Sequence, residues 1–263
     1  MTQTISQPLV IVKHNGSVTW LTLNRPDRLN AVNAAMVEGL IDGLTAARDR
    51  GSDLVVFAGE GRAFSAGFDL SGLDQQSDAD LLYRFVRVEQ LLQMIYELPM
   101  TSVALVQGRC FGAAADIVAS CRKRIATPDA SFRMPGLQFG IVLGTRRLAR
   151  LIGDDAAFDL LETSRIFNAD DALEVGFLTD IQPAKDWASH IDKLAIDAGN
   201  LDGDAKTALL AATHDDSGLD HDLAALVRSA AKPGLADRMR SFVATQVKKS
   251  FYPAQNAAPA MHC

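Results

Sequence analysis

Two short and almost wholly apolar segments limit the folds available to this chain more than any other feature. Residues 54–57 are Leu-Val-Val-Phe, and residues 102–106 are Ser-Val-Ala-Leu-Val. Strands that lack a polar face occur in sheets that are covered on both sides. Between them, residues 80–98 repeat apolar side chains at helical spacing, and Pro99 stops that helix. This alternation of buried strands with helices predicts an α/β fold.

The segments around these strands extend the same pattern. A hairpin is predicted near the start, where Asn15-Gly16 separates the apolar run 9–12 from the alternating run 18–23. Further helices are predicted at residues 34–50, 111–121, 145–152, 155–163, 169–175, 186–198, 204–212, 220–231 and 235–249, and short strands at 124–126 and 131–134. The best candidate boundary is the segment 199–203, which divides a core of residues 1–199 from a helical C-terminal region of residues 200–263.

The overall composition excludes several classes of protein and of site. The chain has 263 residues and a net charge of −6, and an excess of acidic residues argues against nucleic-acid binding. No apolar run reaches the ~20 residues that span a bilayer, and the N-terminus lacks the order of a signal peptide. The three cysteines show no zinc-binding spacing, so we expect reduced thiols and no metal site. These features predict a soluble cytoplasmic protein without nucleic-acid or membrane partners.

Two turns rich in small residues follow the two apolar strands. The first spans residues 63–70, and the second spans residues 107–116 and leads into a helix. Small residues let a ligand approach the backbone, and the first N–H groups of a helix are free to bind a negative oxygen. One N–H group from each turn could therefore form an oxyanion hole for an acyl carbonyl. Either turn taken alone is better explained by tight packing.

Taken together, the two turns and an earlier segment resemble the crotonase (enoyl-CoA hydratase/isomerase) family. Residues 64–70 match its Phe-x-Ala-Gly-x-Asp-Leu motif in full. Residues 108–116 follow Gly-x-x-x-Gly-Gly-Gly-x-Glu, with Ala113 and Ala114 for two glycines and Asp116 for glutamate. Residues 23–31, Leu-Asn-Arg-Pro-Asp-Arg-Leu-Asn-Ala, match its Asn-Arg-Pro…Asn-Ala signature. The likeness covers nearly the whole chain.

The resemblance implies a crotonase-like spiral of ββα units and a helical C-terminal region that supports homotrimers or dimers of trimers. It implies an acyl-CoA substrate and no cofactor besides the coenzyme A of that substrate. The thioester oxygen would lie between the N–H groups of Phe68 and Ala113, which stabilise an enolate-like intermediate. By the same likeness and by position beside the turns, the substrate-binding residues would be Arg28, Ala31, Ala66, Gly67, Asp69, Leu70, Arg109, Gly112 and Gly136. Arg28 could equally be a solvated loop residue, and Asp69 more naturally organises its own turn.

Asp116 is the sharpest single candidate for chemistry. The helix around it is otherwise composed of small and apolar residues, so its carboxylate is expected to be buried and to have either a partner or a raised pKa. A raised pKa suits a group that transfers a proton beside an enolate. The alternative is a structural carboxylate bonded to Arg109 or Arg124.

The sequence departs from the family's hydratases in one important place. Many of them hold the attacking water between two glutamates, and the second usually follows a proline. Here Pro135 is followed by Gly136, and no acidic residue lies between Asp129 and Asp154. A single carboxylate cannot hold water from two sides, so two-glutamate hydration is not expected. Arg109 adds a charge that could hold an acidic acyl tail or pair with Asp116.

Three functions stay open at this level. The first is an enzyme in which Asp116 is the one acid/base, by isomerisation, one-carboxylate hydration, decarboxylation or C–C cleavage. The second is an acyl-CoA-binding protein of the same fold without catalysis. The third is hydrolysis of a β-dicarbonyl compound or thioester, although no Ser–His–Asp arrangement is visible in the sequence.

Overall fold

The computed structural model describes residues 7–213 and 218–251, and the side chains as far as residue 246. Its strands are β1 Val10–Asn15, β2 Val18–Leu23, β3 Leu54–Gly59, β4 Thr101–Val106, β5 Arg109–Phe111, β6 Lys123–Ala126, β7 Ser131–Arg133, β8 Phe167–Asn168 and β9 Asp180–Ile181. Its helices are α1 Ala34–Asp49, α2 Asp78–Tyr96, α3 Ala113–Ser120, α4 Thr145–Ile152, α5 Asp154–Thr163, α6 Ala169–Glu174, α7 Trp187–Gly199, α8 Gly203–Thr213, α9 Leu219–Ala230 and α10 Leu235–Phe251. The predicted α/β fold is confirmed.

The strands form two sheets. The larger has six strands in the order β1-β2-β3-β4-β6-β9, and only the β1–β2 hairpin pairs antiparallel. The hairpin closes with Asn15 opposite Val18, as the Asn-Gly pair predicts. The smaller sheet has the order β5-β7-β8, in which β5 and β7 are parallel.

The apolar strands are covered on both faces, which explains their composition. Val55 and Phe57 of β3 pack into the main core with α1, α2 and α3. Leu54 and Val56 point the other way and pack with Ile191 of α7. Each of these four strand residues is fully buried. A polar side chain on either face of β3 would lose its water without gaining a partner.

One segment differs from the sequence prediction. Residues 109–111 were expected to belong to a turn that runs directly into a helix from residue 111, but they form β5, and α3 begins at Ala113. Three residues carry too little periodicity to predict a strand. Pairing with β7, which lies about twenty residues further along the chain, creates it.

The C-terminal helices cover one side of the core. Leu226 of α9 and Leu235 and Met239 of α10 form a second apolar cluster with Phe85 of α2 and Phe139. The proposed boundary at residues 199–200 remains a prediction from sequence. None of the described helices is long and apolar enough to cross a membrane.

Candidate active site

The two glycine-containing turns lie against each other. Ser65 of the first forms a parallel bridge with Cys110 of the second. The Ser65 N–H donates to the Arg109 carbonyl at 3.1 Å, and the Phe111 N–H donates to the Ser65 carbonyl at 3.1 Å. Backbone hydrogen bonds therefore fix the distance between the turns.

Gly67 makes this close approach possible. Its φ is +89°, and a Cβ at this position would lie 2.2 Å from the Phe111 carbonyl oxygen and 3.4 Å from the Ala113 nitrogen. Any other residue would be strained and would push the turns apart. Glycine therefore places the backbone after Gly67 beside the start of α3.

Two backbone N–H groups at this contact lack acceptors. On either side of Phe68, the Gly67 carbonyl accepts from the Val32 N–H and the Asp69 N–H donates to the Val32 carbonyl. Neither bond uses the Phe68 N–H. Ala113 is the first residue of α3, so its N–H has no acceptor within the helix. Among the described residues, no other group accepts from either N–H. Ala113 does not have a positive φ, so alanine is accommodated where the family motif has glycine.

Both N–H groups belong to residues that line a cavity of about 270 Å3. The lining is mainly apolar and comprises Ala66, Phe68, Leu70, Phe85, Phe111, Gly112, Ala113, Asp116, Arg133, Met134, Pro135, Gly136, Leu137, Phe139, Ile141, Leu143, Thr145, Leu161, Phe242 and Gln246. The structure thus brings together the predicted residues Phe68, Ala113, Asp116, Ala66, Leu70, Gly112 and Gly136.

Asp116 is buried in α3, with 5% of its surface exposed. Its Oδ1 atom has no hydrogen-bond partner within the described part of the chain. Burial raises the pKa of Asp116 well above its usual value; the nearby Arg147 opposes this rise and Glu89 adds to it. Neither Arg109 nor Arg124 bonds to Asp116: Arg124 instead donates to backbone carbonyls, including that of Phe177 at 2.6 Å. The carboxyl group is therefore kept protonated well above the pH at which an exposed aspartic acid ionises.

A buried ion pair that was not predicted from the sequence lies beside Asp116. Arg147 of α4 contacts Glu89 of α2 at 2.5 Å, and each side chain is 1% exposed. Arg147 also contacts Asp222 of α9 at 3.2 Å. A signal did exist in the sequence: Glu89 shares the apolar face of α2 with Phe85 and Leu92, where a charge needs a partner.

Gly144 forms the wall against which the Asp116 carboxylate packs. A Cβ at Gly144 would lie 2.1 Å from Oδ1 of Asp116, and φ at Gly144 is +63°. The loop before α4 therefore brings bare backbone against the Asp116 carboxyl group. Any residue with a Cβ at position 144 would displace Asp116.

Asp69 is the second buried carboxylate of the turns, and it lies outside the cavity. It pairs with Nη1 of Arg25 at 2.5 Å and accepts a hydrogen bond from the Ser71 N–H at 2.9 Å. Burial by itself would raise the pKa of Asp69, but the hydrogen bonds from Arg25 and Ser71 outweigh it and the pKa is lowered. Its contacts are those of a residue that organises its own turn.

The other predicted binding residues also lie outside this cavity. The Arg28 side chain is 65% exposed and its nearest acid is Asp27 at 3.9 Å. Ala31 accepts a hydrogen bond from Arg25 through its carbonyl. Arg109 is exposed, and its guanidinium lies 6.0 Å from the centre of the Phe111 ring. The structure therefore places the Arg109 charge outside the cavity that contains Asp116.

Gly136 lies in the cavity wall, at the start of a short 3-10 turn that ends at Phe139. Asp116 is the one acidic residue among the described residues that line the cavity. No group of three potential metal ligands occurs in the described ranges 7–213 and 218–251. The site therefore combines two unbonded N–H groups and one carboxyl group with a raised pKa in an apolar cavity.

Comparison with known proteins gives this arrangement its context. The profile of the enoyl-CoA hydratase/isomerase family matches residues 13–215. The chain belongs to that family. It is 32% identical over 185 residues to the Mycobacterium bovis protein named probable enoyl-CoA hydratase echA6, covering 68% of this chain and 74% of that one. A crotonyl-CoA hydratase of Syntrophomonas wolfei is 27% identical over 191 residues, covering 71% and 74%.

Among solved structures, one from Bordetella parapertussis that carries the enoyl-CoA hydratase/isomerase name superposes with a TM-score of 0.89 and 44% identity, covering 90% of this chain and 99% of that one. An enoyl-CoA hydratase/isomerase from Xanthobacter autotrophicus shares the fold with a TM-score of 0.81 at 24% identity, covering 94% and 99%. The predicted crotonase fold is confirmed, and the protein is an enzyme of the enoyl-CoA hydratase/isomerase type.

Proposed function

We propose that the protein acts on an acyl-CoA thioester, with Asp116 as the single acid/base. The N–H groups of Phe68 and Ala113 bind the thioester oxygen and stabilise the enolate that forms when a proton leaves or joins the acyl chain. Asp116 carries that proton. Coenzyme A enters as part of the substrate, and no other cofactor is required.

One observation supports this proposal above the others. The buried Oδ1 atom of Asp116 has no partner, in the same cavity as two N–H groups that have no acceptor. Unsatisfied buried polar groups are rare, because each loses its water without a replacement bond. A thioester would give the two N–H groups an acceptor and would place the carbon that exchanges a proton beside Asp116.

The single acidic residue in the cavity restricts the reactions that the site can catalyse. Two-glutamate hydration needs a second acid where Gly136 stands, and the described lining of the cavity holds none. Moving one proton between two carbon atoms, as in double-bond isomerisation, needs only one group that accepts and returns it. We therefore favour a reaction in which Asp116 shuttles one proton on an enolate.

The experiment that tests this proposal compares the wild-type protein with Asp116→Asn. Crotonyl-CoA and a 3-enoyl-CoA are offered as substrates, and binding of butyryl-CoA, which has no double bond, is measured separately. We expect turnover of at least one substrate by the wild type and a loss of about 100-fold or more in kcat in the variant, with butyryl-CoA binding retained. A variant that turns over as fast as the wild type removes Asp116 from the reaction.

The same experiment separates catalysis from mere binding. If both proteins bind butyryl-CoA and neither converts any thioester, the protein binds acyl-CoA without catalysing a reaction, and this proposal is wrong. The trimeric assembly and the cytoplasmic location stay predictions from the sequence; the mass of the protein in solution tests the first of them.

A further inference from the structure

The cavity contains a positive charge as well as Asp116. Arg133 ends β7 and is the one cationic residue among the described residues in the lining. Its neighbour Phe132 is fully buried in the core, so alternation along the strand directs Arg133 to the opposite face. From the sequence alone, residue 133 is predicted only to be part of a short strand.

Neutral groups hold the guanidinium in place. Nε of Arg133 donates to the Ser164 carbonyl at 2.8 Å. Nη1 donates to Oε1 of Gln246 at 3.0 Å, and Nη2 to Oε1 of Gln138 at 3.4 Å. These three bonds use three of the five N–H groups of an arginine, so donors remain for a ligand.

No acidic residue in the described part of the chain neutralises this charge. Among the described residues, no carboxylate lies within ion-pair distance of Arg133, whereas Arg147, Arg146 and Arg25 all contact aspartate or glutamate. Burial lowers the pKa of Arg133, and no nearby negative charge opposes that shift. A half-buried charge without a counter-ion is unfavourable, and a ligand anion would relieve it.

Arg124 is a second arginine without an acidic partner, and it differs from Arg133 in lying outside the cavity. Arg124 is more deeply buried than Arg133, but its donors reach four backbone carbonyls, of Cys121, Arg122, Gly176 and Phe177. It does not line the cavity. Arg124 is thus bound by the chain itself, while Arg133 faces the space that a substrate occupies.

The backbone of Arg133 lies beside the groups proposed to hold the thioester. Arg133 pairs with Phe111 in the β5–β7 ladder, and its carbonyl accepts from the Gly112 N–H at 2.7 Å. Gly112 directly precedes Ala113, whose N–H is one of the two proposed to hold the thioester oxygen. The Arg133 side chain therefore lines the same cavity as those two N–H groups.

We propose that the acyl group carries a second, free carboxylate and that Arg133 binds it, so the substrates are coenzyme A thioesters of dicarboxylic acids. This inference rests on the proposed function, because it assigns the substrate class of the same site. Guanidinium and carboxylate match in geometry and form paired, charge-assisted hydrogen bonds. Arg133 is then a residue that determines specificity, while Asp116 carries the proton.

The test measures binding of matched saturated thioesters by calorimetry. The pairs are malonyl- and propionyl-CoA, glutaryl- and pentanoyl-CoA, and adipyl- and hexanoyl-CoA, with free coenzyme A as a reference. We expect the wild type to bind the acidic member of at least one pair about tenfold or more tightly, with a preference that weakens as salt is raised.

Three variants locate the preference. Arg133→Met should remove it and leave the neutral thioesters and free coenzyme A bound as before, while Arg133→Lys should keep part of it. Arg109→Met removes the same charge outside the cavity and should keep the wild-type preference. If the preference disappears in Arg109→Met and survives in Arg133→Met, the assignment of Arg133 is overturned.

The outcomes separate the two proposals. A wild type that binds neutral and acidic thioesters equally in all three pairs overturns the dicarboxylate inference and leaves the proposed function intact. A wild type that binds no thioester and no coenzyme A overturns the proposed function as well. Because the wild-type ratio decides this, the inference remains testable even if Arg133→Met fails to fold.

Discussion

Asp69 belongs to the first turn of the site and Asp116 to the second, and their pKa values are shifted in opposite directions. Both are buried, with 8% and 5% of their surfaces exposed. Asp69 has Arg25 and the Ser71 N–H as partners, and its pKa is lowered. Asp116 has an Oδ1 atom without a partner, and burial raises its pKa.

The difference shows that burial alone does not set the charge of a carboxylate. Removal from water penalises the ionised form of both residues, but only at Asp69 do hydrogen bonds and an arginine compensate for that loss. The first turn therefore contains an acid whose pKa is lowered. The turn that opens α3 contains an acid whose pKa is raised, and this acid lines the same cavity as Phe68 and Ala113.

The largest expected effect comes from moving Asp116 without replacing it. In Gly144→Ala the new Cβ would lie 2.1 Å from Oδ1 of Asp116, so the carboxylate must shift. We expect kcat/KM to fall by about 100-fold, because misplacing a reacting group by about 1 Å has an effect of that size. Steady-state kinetics on the best substrate from the panel above measures this.

Gly72→Ala is the matched control for that variant. Gly72 has a left-handed backbone like that of Gly144, with φ +68° and ψ +22° against +63° and −1°. A Cβ at Gly72 would meet only the side-chain ends of Gln76 and Gln75, at 3.9 and 4.0 Å. Both variants carry backbone strain of about 1–2 kcal/mol, and only one of them pushes on Asp116. An equal loss of activity in the two variants would show that strain, and not the position of Asp116, is responsible.

The next effect is on stability and falls on the other carboxylate. Asp69→Asn removes the charge that pairs with the mostly buried Arg25. We expect the free energy of unfolding to drop by about 2 kcal/mol, because an unpaired charge remains. Asp116→Asn removes a carboxyl group whose raised pKa lowers stability at neutral pH, so this variant should be at least as stable as the wild type at pH 7. Urea unfolding of both variants at pH 7 makes the comparison, and a larger loss in Asp116→Asn than in Asp69→Asn would contradict it.

The smallest expected effect is on the pH dependence of stability, where the two acids act with opposite sign. Because the pKa of Asp69 is lowered, its contribution is present above pH ~4 and is lost as the pH falls through its folded pKa. Because the pKa of Asp116 is raised, its contribution is full below pH ~4 and declines as the pH rises toward its folded pKa.

The single-residue variants separate these two contributions. Asp116→Asn should remove a decline of at most about 1.4 kcal/mol per pH unit above pH 4, the limit for one proton. Asp69→Asn should remove a rise of the same limiting slope below pH 4. Unfolding free energies measured in steps from pH 3 to 8 test both, and a variant curve parallel to the wild-type curve would contradict the corresponding assignment.

Much of the fold could be predicted from local sequence. The periodicity of α4 gave both ends of that helix, and the Asn15-Gly16 pair gave the hairpin. These signals are local: they depend on helical spacing, on turn chemistry and on strands that are apolar on both faces. Strand β5 was missed because three residues become a strand only through their pairing partner.

The candidate site also has parts that local sequence predicts and parts that depend on tertiary contacts. The sequence by itself determined the α/β fold, the two turns and a buried Asp116, because motif spacing and the apolar composition around residue 116 are properties of neighbouring residues.

Only the tertiary structure decided which charges share the cavity. Arg109 is adjacent to the motif in sequence but lies outside the cavity, whereas Arg133 enters the cavity from β7. Gly144 reaches Asp116 from the loop before α4, and Glu89 and Arg147 meet from α2 and α4. Contacts between residues far apart in sequence depend on how the helices and sheets pack, and a single sequence does not record that packing.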